Sequence, residues 1–305
     1  MPWPGVPHVN AWAIAAGSGV VLVDTGLGGP GALGQLELGL REAGLRLEHV
    51  RLLVCTHAHS DHYGLAGSIV DAAGCELWMH PNHAHMTANL DDPERMVERR
   101  IEVARQSGVP EKVIGEAYEA RRGQPMGIDR FVPAAVDLLP GVEVDSDLGR
   151  WQVYETPGHA PSHVCLHQPD SGLLISGDHL LGRISLYYEY GYTPDPAGEF
   201  LESLDVVARL GVKLCLAGHA RPFREVDRKI EATRDTVLDR IERLRACLDG
   251  APKTPFEIVP EFLGDPDPSP MMLNWGLNEV LVYLNHLRLR DHAHVREGDV
   301  ARWTR

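Results

Sequence analysis

The chain has 305 residues, of which 44% are hydrophobic and 24% are charged, a composition typical of a globular protein and not of a disordered or fibrous one. This length predicts one large core with a smaller appendage. The 29 basic and 43 acidic side chains give a net charge of −14, which argues against general affinity for nucleic acid or anionic lipid.

The sequence also bears on the cellular compartment. No apolar stretch approaches the roughly 18 residues that a membrane helix needs, and residues 1–5 lack the basic start and apolar run of a signal peptide. Five widely spaced cysteines, an odd number, indicate free thiols in a reducing compartment. We therefore expect a cytoplasmic protein with no membrane partner. The 16 histidines are more than an ordinary soluble chain carries, and they need an explanation.

The first part of the chain alternates strand and helix patterns. Two short β-type runs within residues 10–23 precede a Gly-rich helix start, and that helix ends at Gly44. The apolar run 50–55 predicts a buried strand, and a helix over 64–73 and a strand over 75–79 follow. This β-α-β order predicts a sheet covered by helices.

Residues 82–130 interrupt this order. Asp92 and Pro93 are typical of an N-cap followed by proline at the first helical position, and helical patterns continue to about Arg122. We expect a helical insertion between sheet elements. Strand patterns resume at 136–145, 150–156, 163–168 and 172–177, and a helix over 198–209 leads to a last buried strand over 212–217.

The sequence predicts a main domain over residues 1–225 and a smaller module over 226–305. Helical spacing over 227–248 is followed by a Pro-rich linker and by a final helix that contains Leu277 to Leu287. The tail then alternates around a Glu-Gly-Asp turn, as a hairpin does. This order of elements predicts a winged-helix-like module.

Metal-ligating side chains follow the predicted strand over 50–55. Three histidines and an aspartate stand there within six residues: His57, His59, Asp61 and His62. From a loop, His57 and His59 can converge on one ion, while Asp61 and His62 point toward a second.

Three further candidates also follow predicted strands. His159, Asp178 and His219 are each preceded by a glycine, which permits a tight turn where the backbone must approach closely. Because the candidate ligands are nitrogen and oxygen atoms without cysteine, they favour zinc or iron over a structural thiolate site.

These motifs, in this order, resemble those of the metallo-β-lactamase superfamily over roughly residues 6–225. The resemblance implies an α/β fold, a four-layer αβ/βα sandwich, with two divalent metal ions at the edge of its sheets. Zinc is the expected metal, with iron and manganese as alternatives. The resemblance assigns His57, His59 and His159 to the first metal, Asp61, His62 and His219 to the second, and Asp178 to a bridge between them. Asp24, in Val-Asp-Thr-Gly, matches a further motif and is expected behind the ligands.

Two divalent ions about 3.5–4 Å apart lower the pKa of a shared water to near neutrality and stabilise the attacking and leaving oxygens. The expected nucleophile is therefore hydroxide, and Asp61 is the candidate that exchanges a proton with the leaving group. The net positive charge that the two ions leave at the site would attract the anionic end of a small-molecule substrate.

Other residues near the motifs have weaker assignments. His179 is a candidate ligand or substrate contact, although strand alternation favours an orientation away from the metals. His163 and His80 are candidates for the layer behind the ligands, and His83 and His85 are expected at the surface of the site's mouth. Pocket lining competes with core packing for Arg183, Tyr187, Tyr188, Tyr190 and Tyr192.

The leading functional hypothesis is a dinuclear hydrolase of a small ester, thioester or lactone, similar to the glyoxalase II-like branch. One alternative is an RNA- or phosphodiester-cleaving nuclease, against which the net charge argues. Another is an oxidoreductase similar to the sulfur dioxygenases, which use a single iron. A DNA-binding regulator ranks lowest, because the basic C-terminal residues, Arg288 and Arg290 among them, are typical of a solvated face. The sequence identifies neither the substrate nor the oligomeric state, and it is compatible with a homo-oligomer.

Overall fold

The computed structural model describes residues 8–305, which form two five-stranded sheets, one hairpin and ten α-helices. The first sheet contains β1 (Trp12–Ala16), β2 (Gly19–Val23), β3 (Val50–Cys55), β4 (Glu76–Met79) and β5 (Val136–Asp137). The second contains β6 (Glu143–Ser146), β7 (Gly149–Glu155), β8 (Val164–Gln168), β9 (Leu173–Gly177) and β10 (Leu214–Ala217). The hairpin pairs β11 (His294–Arg296) with β12 (Arg302–Thr304).

The helices lie on the outer faces of the sheets and between the strands in sequence. They are α1 (Ala32–Glu42), α2 (Ser60–Tyr63), α3 (Ala66–Ala73), α4 (Ala84–Thr87), α5 (Pro93–Gln106), α6 (Glu111–Ala117), α7 (Pro196–Ala208), α8 (Val226–Cys247), α9 (Pro255–Leu263) and α10 (Pro270–Arg288). No helix among these described residues is both long enough and apolar enough to cross a membrane.

Each sheet follows a simple strand order. The first sheet has the order β1-β2-β3-β4-β5, in which β1 is antiparallel to β2 and the remaining neighbours are parallel. The second has the order β10-β9-β8-β7-β6, in which β10 is parallel to β9 and the others are antiparallel. As a result, β7, β9 and β10 run in one direction and end at the same edge.

Side-chain alternation along the strands builds the layers. Val20 and Leu22 of β2 pack toward α1 and α3, whereas Val21 and Val23 pack against the second sheet. The core between the sheets contains the fully buried Trp151. A third core lies between the outer face of the second sheet and helices α5 to α10. The structure therefore has the predicted four layers, helix-sheet-sheet-helix.

The strand predicted over 136–145 is wrong as a single element. Its first part, β5, pairs with β4 of the first sheet, and its last part, β6, pairs with β7 of the second. Pro140 and Gly141 lie between them, and Gly141 has a φ of 97° that favours glycine. The chain thus changes sheets at a turn within an apolar segment.

Helices α4 to α6 lie within residues 82–130, where the sequence predicts a helical insertion. Asp92 caps α5 by accepting a hydrogen bond from the Arg95 amide at 3.2 Å, and Pro93 occupies the first turn. The insertion lies between β4 and β5, as expected.

The predicted Pro-rich linker after residue 248 is wrong in part, because α9 lies within it. Thr254 and Glu257 form a capping box, and Pro255 occupies the first turn, so local signals start a helix there despite the prolines. α8 begins at Val226, one residue after the predicted domain boundary, and the predicted terminal hairpin is present as β11 and β12.

Helices α5 and α6 of the insertion share one hydrophobic core with the C-terminal helices, whereas Met86 of α4 belongs to the core of the first sheet. The Phe256 amide donates to the Ser107 carbonyl at 3.0 Å, and the Ala301 amide donates to the Gln106 carbonyl at 2.8 Å. We name α5, α6 and α8 to α10 together the helical cap. The helical cap lies against the second sheet, next to the strand ends that carry the predicted ligands.

Candidate metal centre

The predicted ligands meet at one edge of the sandwich. His159, Asp178 and His219 follow β7, β9 and β10, whose carboxyl ends share an edge. The Val164 amide donates to the Thr56 carbonyl at 2.8 Å, which joins the end of β3 to this edge. Seven side chains converge there, and we call them the ligand cluster: His57, His59, Asp61, His62, His159, Asp178 and His219.

Three imidazoles form the first triad of the ligand cluster. His59 Nδ1 lies 3.0 Å from His57 Nε2 and 3.0 Å from His159 Nε2. His57 is fully buried, and His159 is buried as well. Three nitrogens at such spacing can bind one ion, since a divalent ion such as zinc takes imidazole ligands at about 2.0–2.1 Å.

The second triad contains Asp61, His62 and His219. His219 Nε2 lies 3.3 Å from Asp61 Oδ2, and Asp178 lies between the triads. One Asp178 oxygen is 3.3 Å from His62 Nε2, and the other is 3.2 Å from His219 Nε2 and 3.7 Å from His159 Nε2. Asp178 thus contacts members of both triads, as the bridging ligand of two ions would.

The donor set fits divalent metal ions. His62 Nε2 and Asp178 Oδ1 are buried, and neither makes a hydrogen bond with a described residue. Buried polar atoms without partners are costly, and a cation between them would remove that cost. Imidazole and carboxylate ligands suit zinc, iron and manganese.

The pKa values of the ligand cluster agree with this interpretation. Burial lowers the pKa of His57, and it lowers the pKa of His159 to about 4, so both imidazoles are neutral at pH 7, as metal ligands must be. Burial alone would raise the pKa of Asp61, but His62 and His219 outweigh it and bring the pKa to about 2. Asp178 has its pKa lowered for the same reason. The two carboxylates are therefore ionised. Burial alone would lower the pKa of His62 and of His219, but Asp178 and Asp61 outweigh it, raising the first and bringing the second to about 10, so a bound metal would have to displace a proton from each of these imidazoles.

Asp24 lies directly behind His62. Its Oδ2 accepts from His62 Nδ1 at 2.9 Å, and its Oδ1 accepts from the Thr56 amide at 2.8 Å. Asp24 is buried and has a φ of 63°, an uncommon conformation for a residue other than glycine. This arrangement fixes Nε2 as the nitrogen that His62 directs into the ligand cluster.

Glycines allow the ligand turns to pack closely. A Cβ on Gly218 would lie 2.3 Å from Asp178 Oδ1, where the carboxylate has to stand. Gly158 has a φ of 120°, and a Cβ there would lie 2.5 Å from the Phe200 side chain. The two glycines before His219 and His159 are thus required by close approach and by backbone conformation.

A model of the metallo-beta-lactamase superfamily matches residues 4–219 of this chain. The chain belongs to the metallo-beta-lactamase superfamily. The probable metallo-hydrolase YqjP of Bacillus subtilis is 27% identical to it over 256 residues, which are 80% of this chain and 77% of that protein. The acyl-coenzyme A thioesterase MBLAC2 of Bos taurus is 25% identical over 230 residues, 71% of this chain and 74% of that one.

A solved structure agrees with the whole fold. The metallo-beta-lactamase family protein TTHA1429 from Thermus thermophilus matches with a TM-score of 0.84 and 29% identity, covering 100% of this chain and 96% of that chain. The predicted family and fold are therefore confirmed. Membership of the superfamily, together with the ligand cluster, supports a metal-binding hydrolase.

Two of the weaker candidates lie behind the ligands. His163 Nε2 accepts from the Asp178 amide at 3.0 Å, and its Nδ1 lies 2.8 Å from Thr156 Oγ1. His179 is buried against Phe200, with ring centres 4.9 Å apart, and it lies outside the ligand cluster. The sequence favours an orientation of His179 away from the metals, and in the structure His179 has it from the turn that follows β9.

The tyrosines after Asp178 separate into two environments. The Tyr187 ring lies 5.8 Å from the rings of His59 and His159, at the metal centre. Tyr188 is fully buried, and its hydroxyl contacts that of Tyr283 at 3.3 Å. Tyr188 is therefore a core residue in the structure and not a substrate contact, because alternate side chains of this segment point in opposite directions.

The surface position expected for His85 is wrong. His85 is buried, and it contacts Glu189, a residue that the sequence did not single out. Burial alone would raise the pKa of Glu189, but His85 and His59 outweigh it and lower that pKa below its ordinary value. The one signal in the sequence was an acidic residue between two tyrosines. His83 contacts Thr87 at 2.8 Å, and His80 contacts Glu155 at 2.9 Å.

Two cavities open beside the metal centre, under the helical cap. The larger, about 410 Å³, has His219 in its wall, and it is also lined by Arg183, Arg243, Phe262 and Trp275. The smaller, about 110 Å³, lies between α5 and α10, and its lining includes Tyr187, Glu189, Tyr190, Tyr192 and Trp275. Trp275 of α10 borders both cavities. The helical cap therefore provides much of the wall around any substrate.

Proposed function

We propose that this protein is a dinuclear metal-dependent hydrolase that cleaves a small ester, thioester or lactone carrying an anionic group. The observation that carries the proposal is the pair of ligand triads joined by Asp178. Two divalent ions held there would supply a water of lowered pKa and polarise the substrate oxygen. Zinc is the proposed ion, with iron and manganese as alternatives.

Asp61 is the proposed proton carrier. Its side chain is 24% exposed, more than those of His62 and Asp178, so it is the more accessible carboxylate of the ligand cluster. It lies 3.3 Å from His219, which borders the larger cavity. A carboxylate in this position can take a proton from the attacking water and return it to the leaving group.

The larger cavity supports a substrate with an apolar part and an anionic end. Phe262, Leu263 and Trp275 provide apolar wall. Arg240 pairs with Glu279 at 2.5 Å, and Arg243 donates to the Phe262 carbonyl at 2.6 Å, whereas Arg183 forms no ion pair with a described residue and can offer its charge to the cavity. These features suit an acyl compound with a charged group, and the name of the bovine relative, an acyl-coenzyme A thioesterase, is in agreement.

The nuclease alternative has less support. Of the C-terminal arginines, Arg290 pairs with Asp195 at 2.7 Å and Arg305 pairs with Asp249 at 3.0 Å. Arg302 lies 3.6 Å from Glu257. Arginines that pair with acidic groups offer little free charge to a phosphate backbone, and the net charge of the chain is −14.

The iron-oxidoreductase alternative requires only one ion. The complete second triad of Asp61, His62 and His219 favours two. The five free cysteines support our further proposal that the protein works in a reducing compartment such as the cytoplasm.

The experiment combines metal analysis with a substrate screen on one sample. We expect two zinc-like ions per chain and hydrolysis of thioesters or lactones in preference to bis(p-nitrophenyl) phosphate. Asp178→Asn should lose metal and hydrolysis, whereas the matched variant Asp145→Asn, which changes an aspartate that is 89% exposed on β6, should keep both. One bound iron with oxygen uptake, or full hydrolysis by Asp178→Asn, would overturn the proposal.

A further inference from the structure

The ligand imidazoles have partners on their outward nitrogens. Four of them direct Nε2 into the ligand cluster, and their Nδ1 atoms lie within 3.0 Å of an oxygen. These contacts are His57 with Thr56 Oγ1 at 3.0 Å, His62 with Asp24 Oδ2 at 2.9 Å, His159 with the Tyr187 carbonyl at 3.0 Å, and His219 with the His8 carbonyl at 2.6 Å. Such partners fix the tautomer and the ring orientation of a metal ligand.

His59 differs from the other four in its orientation. Its Nδ1 faces His57 and His159, so its outward nitrogen is Nε2. The group that faces this nitrogen is Glu189, whose Oε1 lies 3.3 Å away, at ion-pair distance, although His59 Nε2 makes no hydrogen bond with a described residue in this geometry. The Glu189 side chain is only 7% exposed, so its carboxylate acts in a poorly solvated place.

Glu189 is itself held from behind. Its second oxygen contacts His85 Nδ1, and His85 Nε2 lies 2.8 Å from Ser162 Oγ. Ser162 Oγ accepts from the Ala58 amide at 3.2 Å, next to His57 and His59 in sequence. The chain of contacts therefore starts at His59 and returns to the loop that carries it.

We propose that Glu189 is a positioning residue for the first triad: it accepts a hydrogen bond from His59 Nε2 and so fixes Nδ1 as the nitrogen offered to the metal. His85 and Ser162 keep the Glu189 carboxylate in place. This inference rests on the proposed metal centre. It assigns a function to a buried carboxylate that binds no ion itself.

A third metal site at His59, His85 and Glu189 is the competing interpretation, because these side chains also lie close enough to hold an ion. Such an ion would require His59 to bind metals through both nitrogens and to lose both protons. It would also have to replace the contact that Glu189 already makes with His85. The positioning role needs neither change, because each carboxylate oxygen of Glu189 already faces one imidazole nitrogen, His59 Nε2 or His85 Nδ1.

The test is Glu189→Gln in the full chain, titrated with Zn²⁺ alone in competition with a chromophoric chelator. We expect one of two zinc ions to bind about 10–100-fold more weakly, while the other ion keeps its affinity. In ¹⁵N NMR spectra of the metal-free chain, the wild-type His59 ring should show a single tautomer protonated at Nε2, and the variant should show a mixture.

The matched control is Glu155→Gln, which alters a carboxylate–imidazole pair with His80 away from the ligand cluster. It should leave zinc affinity and the His59 spectrum unchanged. If Glu189→Gln does not fold, Glu189→Asp keeps the charge with a shorter reach and should also weaken one zinc ion.

The outcomes separate this inference from the proposed function. A wild-type chain that binds no metal overturns both. Two bound ions with unchanged zinc affinity and an unchanged His59 spectrum in Glu189→Gln overturn the positioning role alone. So does a third zinc equivalent that His85→Ala removes.

Discussion

The ligand cluster and the helical cap meet at the same cavities but are built differently. In the ligand cluster, buried imidazoles and carboxylates stand on short turns at strand ends, and outer partners such as Asp24 and His163 hold them from behind. In the helical cap, the side chains that reach the cavities, such as Arg243 and Trp275, come from long helices. We infer that the ligand cluster determines the reaction and the helical cap determines which substrate reaches it.

The largest effect is expected within the ligand cluster, from Asp61→Asn. The change keeps the shape of the side chain but removes the carboxylate that lies 3.3 Å from His219. Because general acid–base groups contribute about 10²–10⁴-fold, kcat should fall by at least about 100-fold. Steady-state kinetics together with the metal content of the purified variant checks this. A loss confined to KM would contradict the division between ligand cluster and helical cap.

A smaller effect is expected where the helical cap is tied to the sandwich. Asp195 accepts from the Gly198 amide at the start of α7, and it also pairs with His286 and Arg290 at 2.8 and 2.7 Å. Burial alone would raise the pKa of Asp195, but His286 and Arg290 outweigh it and bring the pKa to about 2. The charged form of Asp195 therefore stabilises the fold.

Asp195→Asn should lower the free energy of unfolding by about 1–2 kcal/mol at pH 7, because the partly exposed Arg290 is screened by solvent. The folded-state pKa lies below the unfolded value, so the contribution is present above about pH 4 and is lost as the pH falls toward about 2. The difference between wild type and variant should close over that range in urea unfolding. Asp205→Asn, which breaks an exposed pair with Arg234, is the control and should cost less at pH 7.

The two regions also differed in how far the sequence could predict them. The ligand motif at His57 to His62 is local in sequence, and Gly158 and Gly218 indicate tight turns. The sequence therefore predicts both features directly. Glu189 and His85 meet only because the loop after β9 packs onto the insertion, and no local pattern records that contact. The capping signal at Thr254 indicates the start of α9, but the many prolines in the same segment favour a linker.

The cavities were the least predictable feature. Trp275 borders both of them, yet its segment reads as an ordinary amphipathic helix. Its position near Tyr187 depends on how α10 packs, with a distance of 6.3 Å between the two rings. Long-range packing of this kind leaves no periodic pattern in the sequence. The strand and helix order, by contrast, predicts a sheet covered by helices, and the resemblance of the ligand motifs implies the four-layer fold.

The smallest effect is expected from Arg183→Gln, at an exposed position in the wall of the larger cavity. If Arg183 attracts the anionic end of the substrate, KM for an anionic thioester should rise about 3–10-fold, because an exposed charge pair is worth about 0.2–1 kcal/mol and a cavity strengthens it somewhat. The kcat should stay unchanged, and KM for a neutral ester of similar size should not move. Raising the salt concentration should reduce the difference between wild type and variant, since exposed charges are screened.

The control Arg228→Gln removes an arginine that is 80% exposed on α8 and should leave KM unchanged for both substrates. Equal KM changes for the charged and the neutral substrate would mean that Arg183 shapes the cavity without recognising the charge of the substrate.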